Sequence, residues 1–340
     1  MVRMRRVKRL VSVAAMGPIL LVVACSRPTP TPQGSRWTLG VNQLAPHPLL
    51  DAVAAGLLEG LREGGISEET GSRIILKNAN GDQNLVYQIN RQFADQHVDM
   101  IIPIATAAAQ SACQVTTSIP IVFAAITDPV KAGIAVSLDH PGGNKTGTSD
   151  RWPYRAQVGL IRQLVPSAKK VGMLFNQGES NTVASLEQIR PALREYGFTE
   201  VSAPVTSTGD IYLAAKSLVG RCDVLLIPSD NTVVSAFTLV VKIANEHRIP
   251  LFAGNTECVE EGAIATFGVN YREIGHATGL MAAKILRERT NPGDLPVQVE
   301  AKTDFVVNLA AAKAQGVTIP ARLLQGARVV GGATPTGVGK

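Results

Sequence analysis

Cysteine is scarce: the 340-residue chain has four, at positions 25, 113, 222 and 258. No CxxC pair and no Cys/His pair at zinc-ligand spacing occurs, so a structural zinc site has no support. With Cys25 set aside for the export signal below, three remain, an odd number, and each reads as a small core residue in a protein that does not depend on disulfides. The five histidines, at 47, 97, 140, 247 and 276, lie far apart and read as surface or satisfied core residues rather than a metal motif. GxSxG, HExxH and a GxGxxG after a strand are all absent, so the chain carries no signature of a hydrolase, a zinc protease or a dinucleotide enzyme. The expectation is a binding protein without a cofactor.

Acidic residues are missing before Cys25. Arg3, Arg5, Arg6, Lys8 and Arg9 supply five of the six net positive charges, so the chain from Cys25 onward carries about +1. A general phosphate-binding surface needs clustered cations, and nucleic acid is not an expected partner. The basic start precedes an apolar run from Leu10 through Ala24, broken by Gly17 and Pro18 and too short for a spanning helix, and then Val22-Val23-Ala24-Cys25. These four residues resemble a lipobox, where signal peptidase II cuts and a diacylglycerol is attached to the cysteine. Acylation of Cys25 would anchor the protein to a membrane, at about 0.8 kcal/mol per buried methylene. Pro28 to Arg36 reads as an extended tether.

From Trp37 onward, short apolar runs alternate with helix-length amphipathic stretches, the pattern of βαβ units with parallel sheets. Strands are expected at Thr38 to Asn42, Arg73 to Lys77, Met100 to Ile104 and Ile121 to Ala124. A second series follows at Val171 to Phe175, Val201 to Val205, Val224 to Ile227, Leu251 to Ala253 and Ala263 to Gly268. Helices are expected between them, among them Leu49 to Glu63, Asn84 to Asp95, Val183 to Tyr196 and Val233 to His247. The two series match residue by residue: Val98-Asp99-Met100-Ile101-Ile102 against Cys222-Asp223-Val224-Leu225-Leu226, and Ile119-Pro120-Ile121 against Ile249-Pro250-Leu251. Two lobes of one α/β fold are therefore expected, each a doubly wound parallel sheet. The Gly-rich Pro141 to Gly147 segment between them lacks the Lys-Ser/Thr ending of a phosphate loop and reads as the first inter-lobe crossing.

In open parallel sheets ligands bind beyond the carboxyl ends of the strands, so the loops after each strand list the candidate pocket. The first lobe offers Asn42, Gln43, His47, Asn80, Asp82, Ala105, Thr106 and Asp128. The second offers Asn176, Glu179, Ser180, Asn181, Ser229, Asp230, Asn231, Asn255 and Thr256. Thr106 and Ala107 open a helix directly after a buried strand, where free amides hold a carboxylate; Thr106 as an ordinary N-cap is the competing reading. Asp230-Asn231 occupies the matching place, as a cap or as an acid facing an ammonium group, with Asp128 and Asp150 next in line for that role. Asp128 before Pro129 is favoured as a turn former over a cleft acid. Trp152 and Tyr154 read as packing at the lobe junction rather than ligand lining.

At this point the chain resembles the ABC transporter substrate-binding lipoprotein family that includes tryptophan and tyrosine binding proteins. The likeness rests on His47-Pro48-Leu49-Leu50-Asp51, Ala105-Thr106-Ala107-Ala108-Ala109-Gln110, Thr127-Asp128-Pro129-Val130, Pro141 to Gly147 and Pro228-Ser229-Asp230-Asn231-Thr232, over about residues 37 to 325. It implies a type I periplasmic-binding fold with three crossovers. The expected division is a signal peptide over 1–24, a lipidated tether over 25–36, one lobe from 37–147 and 271–297, the other from 148–270 and 298–325, and a flexible tail over 326–340. The implied ligand is a small amino acid, aromatic by family likeness, held by Gln43, Thr106, Ala107, Asp128, Asp150, Ser180, Asn181, Asp230, Asn231 and Asn255, and passed to an ABC permease with its ATPase. A branched-chain amino acid, amide or sugar, or a signalling partner in place of a permease, are the alternatives. Where the family has proline after the threonine of its Ala-Thr-Pro motif, this chain has Ala107. Burying an aromatic ring contributes on the order of 4–6 kcal/mol of the roughly 8 that micromolar affinity needs, leaving charge-assisted bonds to supply the rest.

Overall fold

The computed structural model describes residues 37–299 and 302–331. The expected signal peptide, Cys25 with its tether, and the end of the chain beyond 331 lie outside the described residues. The first series is β1 (Thr38–Gln43), α1 (Pro48–Glu63), β2 (Arg73–Asn78), α2 (Gln83–Asp95), β3 (Met100–Ile104), α3 (Thr106–Val115), β4 (Ile121–Phe123) and β5 (Lys145–Ser149). The second is α4 (Tyr154–Leu164), β6 (Lys170–Phe175), α5 (Ser180–Glu195), β7 (Thr199–Pro204), α6 (Ile211–Ser217), β8 (Val224–Ile227), α7 (Asn231–Val234), α8 (Phe237–His247), β9 (Leu251–Ala253), α9 (Thr256–Glu261) and β10 (Ala265–Gly268). The chain ends through α10 (Tyr271–Glu288), β11 (Gln298–Val299), β12 (Asp304–Asn308), α11 (Leu309–Ala314), α12 (Ala321–Leu324) and β13 (Arg328–Val330).

The first lobe is built on a six-stranded parallel sheet in the order β11-β5-β4-β3-β1-β2. The second carries a four-stranded parallel sheet, β7-β6-β8-β9, beside a small sheet in which β12 lies antiparallel to β10 and parallel to β13. Every residue of β3 and β8 is buried, as strands covered by helices on both faces require. The internal repeat is a repeat of topology: β2-β1-β3-β4 has the order of β7-β6-β8-β9. The duplicated aspartates explain themselves, since Asp99 accepts the Thr38 amide at the head of β1 and Asp223 accepts those of Lys169 and Lys170 at the head of β6. The duplicated prolines do the same: Ile101 donates to the Pro120 carbonyl at 2.9 Å and Leu225 to that of Pro250 at 2.7 Å.

Three differences from the expectation are physical. The Gly-rich segment runs into β5, a strand of the first sheet, so the chain leaves that sheet after Ser149 rather than at Pro141 to Gly147. The expected helix from Val233 to His247 is two helices, α7 and α8, broken where Ala236 takes φ −124°, ψ 28°. Arg328–Val330, expected within the tail, pairs with β12, where Val306 and Val307 offer a wholly buried edge. The chain passes between the sheets after β5, between β10 and α10, and between β11 and β12.

After the second passage α10 lies along α1 in the first lobe. Glycines make this contact close: a Cβ at Gly56 or Gly60 of α1 would collide with the Arg272 or His276 carbonyl oxygen, and one at Gly275 or Gly279 of α10 with that of Val53 or Leu57. Cys222 and Cys258 are buried and unpaired, and Cys113 is half-buried.

Candidate functional site

The carboxyl ends of the strands in both lobes face one another around a small cavity. A larger open groove of about 740 Å³ adjoins it, sharing Asn181 and Asn231. Of the expected ligand residues, Thr106, Asp150, Asn181, Asp230, Asn231 and Asn255 line the cavity, and Ala107 and Ser180 line the groove. Gln43 and Asp128 line neither. Gln43 donates to the Ala45 carbonyl at 2.8 Å and to Asp51 at 2.7 Å, bracing the loop that leads to α1. Asp128 accepts the Lys131 amide at 3.0 Å, as a turn former does, and is paired with Arg151 at 2.7 Å.

The head of α3 is left open. Its preceding residue, Ala105, has φ 81° and ψ 158°, a region that side chains avoid at a cost of about 1–3 kcal/mol, and no side chain caps the helix. Thr106 is thus the first helical residue and not the cap. The strained turn aims a ten-residue helix, with its amides and positive dipole end, at the cavity wall. Ala125, at φ 56°, is a second strained non-glycine residue in the same wall.

The matching helix head in the second lobe is already filled. Glu179 accepts from the Asn231 amide at 2.9 Å, the Thr232 amide at 2.8 Å, and the Asn231 Nδ2 at 2.7 Å. Asp230 caps the same short helix through the Val233 amide at 2.8 Å, and its other oxygen accepts from the Asn176 amide and from Thr182 Oγ1 at 2.8 Å. Both oxygens of Asp230 are therefore occupied, and burial, with Glu179 nearby, pushes its pKa up. Asn255 likewise caps α9 through the Cys258 amide at 2.8 Å.

Asp150 differs. It stands just past β5, only 4% exposed, and burial raises its pKa against the pull of the Tyr271 and Thr127 hydroxyls. Tyr271, the first residue of α10, donates to Oδ2, while Oδ1 has no hydrogen-bond partner. Sequence reading missed Tyr271, because nothing local ties it to a carboxylate 121 residues earlier. His47, also 4% exposed, faces the cavity from the N-cap of α1; burial lowers its pKa to about 4. The remaining wall is mixed, from the apolar Leu49, Leu50 and Val234 and the polar Thr127 and Ser229. Trp152 packs flat on Gly254 and donates to Ser229 at 2.8 Å, which is the packing role expected of it.

This arrangement has relatives. Residues 38–330 match the model of the ABC transporter substrate binding protein family. A tyrosine-binding protein of Clostridioides difficile is 34% identical over 276 residues, 81% of this chain and 80% of that protein. The crystal structure of the ABC domain from Streptococcus pneumoniae in complex with L-Trp is 34% identical and superposes with a TM-score of 0.83, covering 87% of this chain and 99% of that one. A ligand-free, open substrate-binding protein with adhesive properties from Clostridium difficile is 35% identical, covers 86% and 99%, and superposes at 0.66. With two parallel-sheet lobes, a cavity between them and a family match across nearly the whole described fold, this chain belongs to the ABC transporter substrate-binding proteins, a family of solute-binding proteins rather than enzymes.

Proposed function

We propose that the protein is an extracytoplasmic lipoprotein that captures an L-aromatic amino acid between its lobes and delivers it to an ABC importer. The observation that carries this reading is the pairing, in one cavity, of an uncapped helix head at Thr106 with the buried, half-unpartnered carboxylate of Asp150. An amino acid presents the complement: a carboxylate for the α3 amides and an ammonium group for Asp150 Oδ1. The ammonium partner is thus Asp150, not Asp230, whose oxygens are committed to the protein. The likeness to a tyrosine-binding protein and to a structure holding L-Trp supports an aromatic side chain. Lipid attachment rests on the Val22 to Cys25 motif, and Cys25→Ser should release the protein from the detergent phase in a phase-separation assay.

Calorimetry tests the ligand. L-Tryptophan or L-tyrosine should bind, and tryptamine or tyramine should not. Asp150→Asn keeps an acceptor for Tyr271 but removes the charge, so it should weaken binding by about ten- to a hundredfold, or roughly 1.5–3 kcal/mol. Equal binding of amine and amino acid would remove the carboxylate site, and an unchanged Asp150→Asn would remove the ammonium site, making an amide or sugar the better ligand.

A further inference from the structure

Among the described residues, four buried side-chain atoms lack a hydrogen-bond partner: Asn42 Oδ1, His47 Nδ1, Ser111 Oγ and Asp150 Oδ1. Asn42 and Ser111 are not part of the cavity wall; His47 and Asp150 are. The ammonium group assigned above accounts for Asp150, and no group of the chain accounts for His47.

The state of the His47 ring follows from its neighbours. Glu179 accepts from both the amide and the Nδ2 of Asn231, so the side-chain nitrogen of Asn231 faces Glu179 and its Oδ1 faces His47. That oxygen can only accept, so the imidazole Nε2, 3.4 Å away, is the donor. Burial keeps the ring neutral at ordinary pH, with a single proton. With that proton on Nε2, Nδ1 is a bare acceptor in the wall of the cavity, next to Leu49 and Leu50.

We infer that His47 Nδ1 selects the ligand's side chain by accepting a hydrogen bond from a ring N–H or O–H, so that indole or phenol is taken in preference to phenyl. The inference rests on the amino-acid reading above. In that orientation the carboxylate and one ammonium N–H are matched, and the side chain's N–H or O–H is the donor that differs from one aromatic ligand to the next. Sites built to pair with a ligand N–H or O–H reject the analogue that lacks it far more strongly than an apolar pocket rejects a change of size. His47 and Asn231 come from different lobes, so the tautomer is set only when the lobes meet.

Two ligand pairs test this in the intact protein: L-tryptophan against L-3-benzothienylalanine, which carries sulfur in place of the ring N–H, and L-tyrosine against L-phenylalanine. Calorimetry should show the donor-bearing member of at least one pair binding tenfold or more tightly, and His47→Leu should bring that ratio to within about threefold. The ¹⁵N shifts of His47 in the liganded wild-type protein should report Nε2–H with Nδ1 unprotonated, a measurement that does not depend on the variant folding. Equal affinities within both pairs, or a proton on Nδ1, would overturn the inference while leaving the amino-acid ligand in place. Failure of all aromatic amino acids to bind would overturn the ligand class and this inference with it.

Discussion

Three carboxylates stand at or beside the cavity, and only their partners separate them. Sequence offers Asp230 as the acid that meets an ammonium group, with Asp128 and Asp150 next in line, and the internal repeat puts Asp230 first by aligning it with Thr106. What decides the matter is which oxygens are already spoken for, and those partners come from Asn176, Thr182 and Tyr271, 48 to 121 residues away. Which residues surround the cavity was therefore legible at Thr106, Asn181, Asp230 and Asn255, because loops after parallel strands must gather there. Their roles were not, because a role is set by partners that the chain brings from afar. His47 gives the residue scale a pH signature. It titrates at about 4 when folded against 6.5 in the open chain, so the unfolded chain takes up the proton first as pH falls. The contribution of a neutral His47 is whole above pH 6.5 and lost between 6.5 and 4. Asp150, with its pKa raised, has the opposite slope: its contribution declines as pH rises out of the carboxylate range. Urea titrations of wild type and His47→Gln at pH 7 and 4.5 isolate the ring. Acidification should cost wild type roughly 2 kcal/mol more than the variant, and parallel losses would mean the ring is solvated.

At the scale of elements, the strands announced by branched apolar runs fall where expected, with Met100–Ile104, Val224–Ile227 and Leu251–Ala253 matching to the residue. β5 was illegible because Lys-Thr-Gly-Thr-Ser has no apolar run. It is buried instead through hydroxyls, with Thr146 donating to the Leu295 carbonyl at 2.9 Å and Thr148 Oγ1 2.8 Å from Thr278 Oγ1, and through Gly147 lying flush against Phe123. Leu295 and Thr278 lie in the segment that returns to the first lobe, so the strand makes sense only after the chain has come back. The α1–α10 pair is a second case, since four glycines in two distant helices have meaning only as a contact. His47 stands at the head of one of these helices and Tyr271 at the head of the other, so the glycine contact sets the distance between two sides of the site. Gly275→Ala should force the helices apart, destabilising the protein by about 3 kcal/mol. Thermal unfolding reads that loss, and calorimetry should show a weaker ligand as well. An unchanged melting temperature would mean that the helices slide past the added methyl group.

At the scale of the whole molecule, the two relatives separate conformations. At nearly equal identity, the structure superposes more closely on the L-Trp complex, at a TM-score of 0.83, than on the open, ligand-free protein, at 0.66. Contacts between the lobes include Ser180 to Gln110, Lys131 with Glu187, and His47 to Asn231. Exposed ion pairs such as Lys131–Glu187 contribute about 0–1 kcal/mol, so such contacts do not hold the lobes shut by themselves. Small-angle scattering should therefore record a larger radius of gyration without ligand than with saturating L-tryptophan or L-tyrosine. Equal radii would place closure in the protein rather than in the ligand.

Asp150 lies where the chain has just left the first sheet and is about to enter α4 of the second. A charge bound there acts on the axle of the movement and not on its rims. A rotation at an axle is multiplied along each lobe's radius, and it would open or close contacts between the lobes such as Lys131 with Glu187. If the proposed amino-acid reading holds, a membrane partner that touches only the lobes would thereby sense the neutralisation of one buried carboxylate, without meeting the solute itself.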